Sequence, residues 1–196
     1  MTIDGSNAKD FDDAVYAEES SDGYLLYVAI ADVSEYVLQD SSLDKEALSR
    51  ATSVYFEKKV IPMLPELISN KLCSLRPNED KLVLTCEIYL DREGEIKSYE
   101  FFNSVICSKN RLTYDEVEKF YQKGQTALSD DIVSNLNALK KIHALRRKIR
   151  EERKAIDFYL PEYRPIGKDN KIIKFKSINH LLANEVIEES MILANI

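Results

Sequence analysis

The sequence predicts an α+β fold, a mixed and largely antiparallel sheet packed against helices. Three observations predict it. Two strand-length apolar runs, residues 13–18 and 24–32, are joined through the turn-forming stretch Ser20-Ser-Asp-Gly23. Two more, residues 82–90 and 95–107, flank Asp91-Arg-Glu-Gly94 as the arms of a hairpin. Residues 130–154 repeat apolar side chains at spacings of three and four, the period of a one-faced helix. Short turns make neighbouring strands antiparallel, and a one-faced helix must be covered by a sheet or another helix.

The elements follow in order. The chain opens on a dense polar stretch, residues 3–14, and reaches its first strand at residue 13. Residues 43–51 read as a helix, and Pro65 starts a short one over 65–70, since proline fits the first helical position. Tyr55 lies between them and reads as a strand aromatic near a helix end. Thr113, with Glu116 three residues on, is a capping box that opens a helix to about Gln122. In the long helix Ile132, Leu136, Leu139, Ile142, Leu145 and Ile149 mark the apolar face. Lys140, Lys141, Arg146, Arg147, Lys148, Arg150, Arg153 and Lys154 occupy the other, which reads as a solvated charged face or as an electrostatic guide for a polyanion. Residues 178–196 predict an apolar-rich helix without a Gly or Pro stop signal. The abrupt opening and close predict a piece of a longer protein.

A chain of 196 residues is long enough for one domain with a real core. No apolar run reaches the length of a membrane span and no leader opens the chain, so a soluble cytoplasmic protein is expected. Cys73, Cys86 and Cys107 form no CxxC pair, and with only His143 and His180 beside them they read as reduced, mostly buried thiols rather than a zinc site. The net charge of −7 argues against a simple nucleic-acid-binding surface. Its distribution changes that reading: residues 1–40 hold ten acidic side chains against Lys9 alone, a sum of −9, and the remainder sums to +2. Negative charge so concentrated fits a site where bound cations offset it.

That site is Ile3-Asp-Gly-Ser-Asn-Ala-Lys-Asp-Phe-Asp-Asp-Ala14, which presents Asp4, Asp10, Asp12 and Asp13. Four carboxylates this close repel one another, and a divalent cation relieves the repulsion. Oxygen-only ligands suit hard ions such as magnesium and calcium, and the spacing is not that of an EF-hand. Magnesium is often completed by substrate phosphates, which fits phosphoryl-transfer chemistry. If the stretch is extended, Asp10 and Asp12 face one side and Asp13 the other. A solvated acidic loop accounts for the spacing equally well.

The same segment closely resembles the signature of the ribonuclease II / ribonuclease R family of exoribonucleases, which carry a catalytic RNB domain. The likeness continues through Val28-Ala-Ile-Ala-Asp-Val-Ser-Glu-Tyr-Val37, Thr52-Ser-Val-Tyr-Phe56, Val60-Ile-Pro-Met-Leu-Pro-Glu66, Leu72-Cys-Ser-Leu75, Arg111-Leu-Thr-Tyr-Asp-Glu-Val117 and Ile187-Glu-Glu-Ser-Met-Ile-Leu-Ala-Asn195, in family order. It departs at Glu35, where the family pattern has histidine, at Glu57, where it has proline, and at Asn7, where an acidic residue is frequent. None of these removes an aspartate. The resemblance implies that residues 1–196 are the N-terminal part of the catalytic domain. It also implies a magnesium-dependent 3′-to-5′ hydrolase, with one or two ions, that acts on single-stranded RNA and releases nucleoside 5′-monophosphates.

Carried over, Asp4, Asp10 and Asp13 would hold magnesium and Asp12 would be the carboxylate critical for hydrolysis. Tyr55 would stack on a 3′-terminal base, with Phe158 as the opposing ring, and Tyr114 would contact the ribose. Glu188 and Glu189 lie in an otherwise apolar helix. At least one should face the core and need a partner; the resemblance gives one a substrate contact, leaning to Glu189. Family members also carry RNA-binding modules on both sides and downstream arginines that grip phosphates, so these 196 residues alone are expected to be inactive. No membrane contact and no obligate protein partner are implied. A catalytically inactive RNA-binding or protein-binding relative and a calcium-stabilised structural domain are the competing readings.

Overall fold

The computed structural model describes residues 1–56, 59–124, 127–156, 162–168, 171–178 and 180–195. Glu57 and Phe158 lie outside them. The architecture is α+β. Its centre is a four-stranded antiparallel sheet of β2 (Asp13–Glu19), β3 (Gly23–Ala31), β6 (Asp80–Asp91) and β7 (Ile96–Cys107), in that spatial order. Outside it, β1 (Thr2–Asp4) runs parallel to β8 (Arg111–Thr113), and β4 (Val54–Tyr55) pairs with β5 (Val60–Ile61). A separate antiparallel ribbon is made of β9 (Glu162–Lys168) and β10 (Lys171–Ile178). The helices are α1 (Ser42–Arg50), α2 (Tyr114–Lys123), α3 (Asp130–Glu152) and α4 (Leu182–Ala194).

Alternation along the strands divides the core between two faces. Val15, Ala17, Leu26, Val28, Cys86, Ile88 and Leu90 point to one side, where Val117, Leu136, Leu139, Ile142, Val186 and Leu193 of α2, α3 and α4 cover them. Ala14, Ala29, Ala31 and Val83 point to the other, against Phe11, Ile68, Cys73 and Leu75. Registers are held by turns. Gly23 (φ +152) would press a Cβ into the backbone of Leu90 and Asp91, so only glycine serves there. Gly94 (φ +87) closes the β6–β7 turn beneath the Leu145 side chain, and the Asp91 carboxylate accepts the Glu93 and Glu95 amides at 3.0 and 2.8 Å.

The capping box forms as read: Thr113 Oγ1 accepts the Glu116 amide at 3.2 Å, and Glu116 Oε2 accepts the Thr113 amide at 2.7 Å. Three expectations change. The short helix continues past residue 70 and is wound as a π turn over Ile68–Leu72, with the Cys73 amide donating to Ile68 O at 2.9 Å. The last helix begins at Leu182 rather than 178, because residues up to Ile178 pair with β9. Arg146 is not on a solvated face. It is 4% exposed, donates to Gly94 O at 3.0 Å and lies 3.6 Å from a Glu189 carboxylate oxygen. An acid buried on α4 draws it inward, as a buried charge requires. Its neighbours on that face, Lys141, Arg147 and Arg150, pair with Glu19, Glu185 and Glu189. Among the described residues no helix is long and apolar enough to cross a membrane.

Candidate active site

The β1–β8 pairing sets Asp4 opposite Thr113, at the mouth of α2. The chain then loops through residues 5–12 and enters β2 at Asp13. This loop is anchored repeatedly. Arg111 donates to Gly5 O at 2.8 Å and Ser6 O at 3.1 Å, and its guanidinium lies 5.5 Å over the Phe11 ring. Ser74 Oγ accepts the Phe11 amide at 3.1 Å and donates to Lys9 O at 2.9 Å, while the Leu75 amide donates to Phe11 O at 2.8 Å. Asp12 O accepts the Ala31 amide at 2.9 Å. With Phe11 buried as the plug, the backbone between the aspartates is fixed on both sides.

The four carboxylates share one field. Burial, then repulsion from Asp13, pushes Asp4 up to about 7 against the pull of Arg111, and Asp12 and Asp10 add to the rise. Burial and Asp12 push Asp13 up to about 6. Burial and Asp10 also raise Asp12, which is exposed at the rim. One oxygen of Asp4 and one of Asp13, both Oδ2, are buried without a hydrogen-bond partner. Buried unpartnered carboxylate oxygens are expensive, and a hard divalent cation is the group that would satisfy them. Among the described residues no three His, Cys, Asp or Glu side chains already stand at metal-enclosing spacing. The fit therefore rests on the inward Asp4–Asp13 pair, with Asp10 and Asp12 at the rim.

The other expected residues divide. Tyr55 is 67% exposed, and its hydroxyl donates to Asp10 Oδ2 at 3.4 Å. Tyr114 is half-buried; burial, then Asp13, Asp4 and Glu188, push its hydroxyl up to about 12, so it keeps its proton. Glu188 thus lies on the Tyr114 side of α4, exposed, with His180 Nε2 at 3.6 Å. Glu189 is 2% exposed and lies 3.3 Å from Arg150 and 3.6 Å from Arg146. The structure brings Asp4, Asp10, Asp12, Asp13, Tyr55, Tyr114 and Glu188 into one neighbourhood and turns Glu189 into the interior. Sequence reasoning missed Arg111 and Ser74 as anchors. Both lie in blocks that carry the family resemblance, but a side chain that grips backbone carbonyls leaves no local pattern.

The raised carboxyls dictate a pH dependence. The folded protein binds protons at Asp4 and Asp13 more tightly than the unfolded chain does. Their contribution to stability is therefore complete below about pH 4 and is lost as pH rises through about 6 to 7. Free of divalent metal, and allowing for solvent screening at the part-exposed Asp4, the chain is expected to be about 1–3 kcal/mol less stable at pH 8 than at pH 5 from this source. His143, lowered by burial, works in the opposite sense, so the comparison is made against Asp4→Asn. Urea denaturation should show a flatter pH dependence in the variant, and magnesium should recover stability at pH 8 in the parent sequence only. Identical pH slopes in the two proteins would remove the coupled buried pair from the account.

Comparison with known proteins bears on the whole chain. Ribonuclease R of Vibrio parahaemolyticus is 44% identical over 201 residues, an alignment that covers all of this chain and 24% of that protein. Mycoplasma genitalium RNase R, solved in complex with ribose methylated single-stranded RNA, superposes with a TM-score of 0.94 at 36% identity, covering 99% of this chain and 31% of the other. In complex with double-stranded RNA the same enzyme gives 0.95 over all of this chain and 35% of the other. The chain thus spans about a quarter of the length of the Vibrio relative. The RNB domain profile matches residues 1–196, and the chain belongs to the RNB domain family.

Proposed function

We propose that the full-length protein is a magnesium-dependent 3′-to-5′ hydrolytic exoribonuclease acting on single-stranded RNA and releasing nucleoside 5′-monophosphates. Residues 1–196 form the N-terminal part of its catalytic domain, and it works in the cytoplasm. The observation that carries this reading is the aspartate cluster: four carboxylates in one field, two of them with buried oxygens that lack partners, flanked by two tyrosines in a chain of the RNB family.

Asp4, Asp10 and Asp13 would hold magnesium, which when bound supplies water activation and charge stabilisation at a phosphate. The chain's own groups do the rest. Asp12 stands at the rim with a carboxyl raised by burial and Asp10, which suits it to accept a proton from an attacking water. Tyr55 offers an exposed ring to the terminal base, and Phe158, outside the described residues, is the candidate for the opposing ring. Stacking reads no sequence, as a processive degrader requires. Tyr114 stays protonated and can donate to a ribose hydroxyl, and Glu188 can accept from one. That hydroxyl separates RNA from DNA.

The test uses the full-length protein and a 5′-labelled single-stranded oligoribonucleotide with magnesium. The expected result is a ladder shortening one nucleotide at a time from the 3′ end, absent with EDTA and with a DNA oligomer. Binding without shortening would move the reading to a catalytically inactive RNA-binding relative. Shortening supported by calcium but not magnesium would overturn the metal assignment.

A further inference from the structure

Two neighbouring rows of side chains run along α4. One is Asn184, Glu188 and Ile192; the other is Glu185, Glu189 and Leu193. Each is polar, then acidic, then apolar at the four-residue spacing of a helix face. Rows so alike leave the apolar pattern little say in which of them turns inward. The structure buries Glu189 and Leu193 and leaves Glu188 and Ile192 exposed. At the N-terminal end of α4, Glu118 Oε2 accepts the Ala183 amide at 3.1 Å. Helix amides point along the axis, so this bond holds the end of α4 without choosing its rotation.

Basic residues on α3 make the choice. His143, Arg146, Arg147 and Arg150 share one face of that helix and meet the second row. His143 and Arg147 lie 3.3 and 3.4 Å from Glu185, and Arg146 and Arg150 lie 3.6 and 3.3 Å from Glu189. The Arg147–Glu185 contact is partly in solvent, where screening weakens it. Arg146 and Glu189 are both buried. Their facing atoms, Arg146 Nε and Glu189 Oε1, make no hydrogen bond. A buried ion pair of that geometry stabilises little more than an apolar pair would. It does set direction, because a rotation of α4 that parted the two would leave buried charge uncompensated. Arg146 is itself tied to Gly94 O at 3.0 Å, so the rotation of α4 is set against the β6–β7 turn of the central sheet.

We propose that Arg146 and Glu189 are positioning residues for ribose recognition: their buried contact fixes the rotation of α4 and keeps Glu188, the adjacent residue, on the Tyr114 side of the carboxylate cluster. This rests on the reading of Glu188 and Tyr114 as ribose contacts given above. The test uses the full-length protein and compares kcat/KM for an oligoribonucleotide with that for the same oligomer carrying 2′-deoxyribose at its 3′ end. Arg146→Met/Glu189→Met, an apolar pair of similar length, should keep the melting temperature within about 5 °C and lose about tenfold of the preference for ribose. Arg146→Lys retains the charge facing Glu189 and should keep the preference within about threefold. Glu188→Gln should lower the preference by itself, and adding the methionine pair to it should cost less than about twofold more, as for residues that act through Glu188. Should the methionine pair not fold, Arg146→Gln takes its place with the same expectation, since it keeps a donor for Gly94 O and removes the charge. An unchanged ribose preference in a parent that loses it on Glu188→Gln would overturn the positioning role alone. So would a fall in kcat on both oligomers that tracks melting temperature and adds fully to Glu188→Gln, the mark of a purely structural pair. A Glu188→Gln protein with the parent's preference removes the ribose role of Glu188 and this inference with it. A parent that does not hydrolyse RNA removes the exoribonuclease reading as well.

Discussion

Asp12→Asn in the full-length protein is expected to lower RNA hydrolysis by about a thousandfold or more while RNA affinity stays within about threefold, a shift under roughly 0.7 kcal/mol. The amide keeps the size of the carboxyl, and Asp12 O, not its side chain, takes the anchoring bond from Ala31. The fold is therefore untouched. What disappears is the proton acceptor at the rim and one negative charge. Asp12 raises both Asp4 and Asp13, so its neutralisation should ease the ionisation of both. A cluster with less repulsion does not bind a polyanion more weakly, which is why affinity should hold. Asp4→Asn differs: it removes one of the two buried unpartnered oxygens and should weaken magnesium binding first. Single-turnover rates at saturating magnesium, with binding measured separately in EDTA, distinguish the two. An Asp12→Asn protein that keeps most of its turnover would sink the role assigned to Asp12.

The parts of the fold that sequence reading recovers are those whose causes are local. Thr113 and Glu116 are three residues apart and satisfy each other, so their pattern is complete within one turn. The β2–β3 and β6–β7 pairs are joined by turns whose residues declare themselves. The β1–β8 pair has no such signal. Each strand is three residues long, their partners are over a hundred positions apart, and yet this pairing sets Asp4 beside α2. The β9–β10 ribbon was missed for another reason: Pro165, Gly167 and alternating lysines do not look like a buried strand, and the ribbon is not one. Arg146 was misplaced because helical periodicity counts only a residue's own helix, whereas the buried Glu189 that draws it inward is on α4.

The aspartates themselves were legible as a density of like charge that a shared cation relieves, although spacing alone fitted a solvated acidic loop equally well. Their convergence, however, depends on Phe11 seating in the second core cluster and on Ser74 and Arg111 holding the loop. Those contacts are made by backbone groups, and composition does not encode which carbonyl a guanidinium will find. The choice between Glu188 and Glu189 had the same character. Adjacent residues on a helix point about 100° apart, so only the placement of α3, with Arg146 and Arg150, decides which one turns inward.

Residues 1–196 alone are expected to hydrolyse single-stranded RNA at less than about a thousandth of the full-length rate even with excess magnesium, a deficit of roughly 4 kcal/mol in activation free energy. Phosphoryl transfer is catalysed by positioning and by cationic groups aimed at charge that develops in the transition state. On the proposed reading these residues supply the carboxylate side of that machinery. The cation that acts on Asp4 is Arg111, and it is turned to the carbonyls of Gly5 and Ser6 rather than outward toward a phosphate. The field of residues 1–40, at −9, opposes a polyanion until metal enters. The measurement is a magnesium-dependent time course on a labelled oligoribonucleotide, with the isolated chain and the full-length protein side by side at concentrations that saturate both. Mononucleotide release at comparable rates would mean that residues 1–196 contain the whole catalytic apparatus, and the assignment of this chain to only the first part of a catalytic domain would fail.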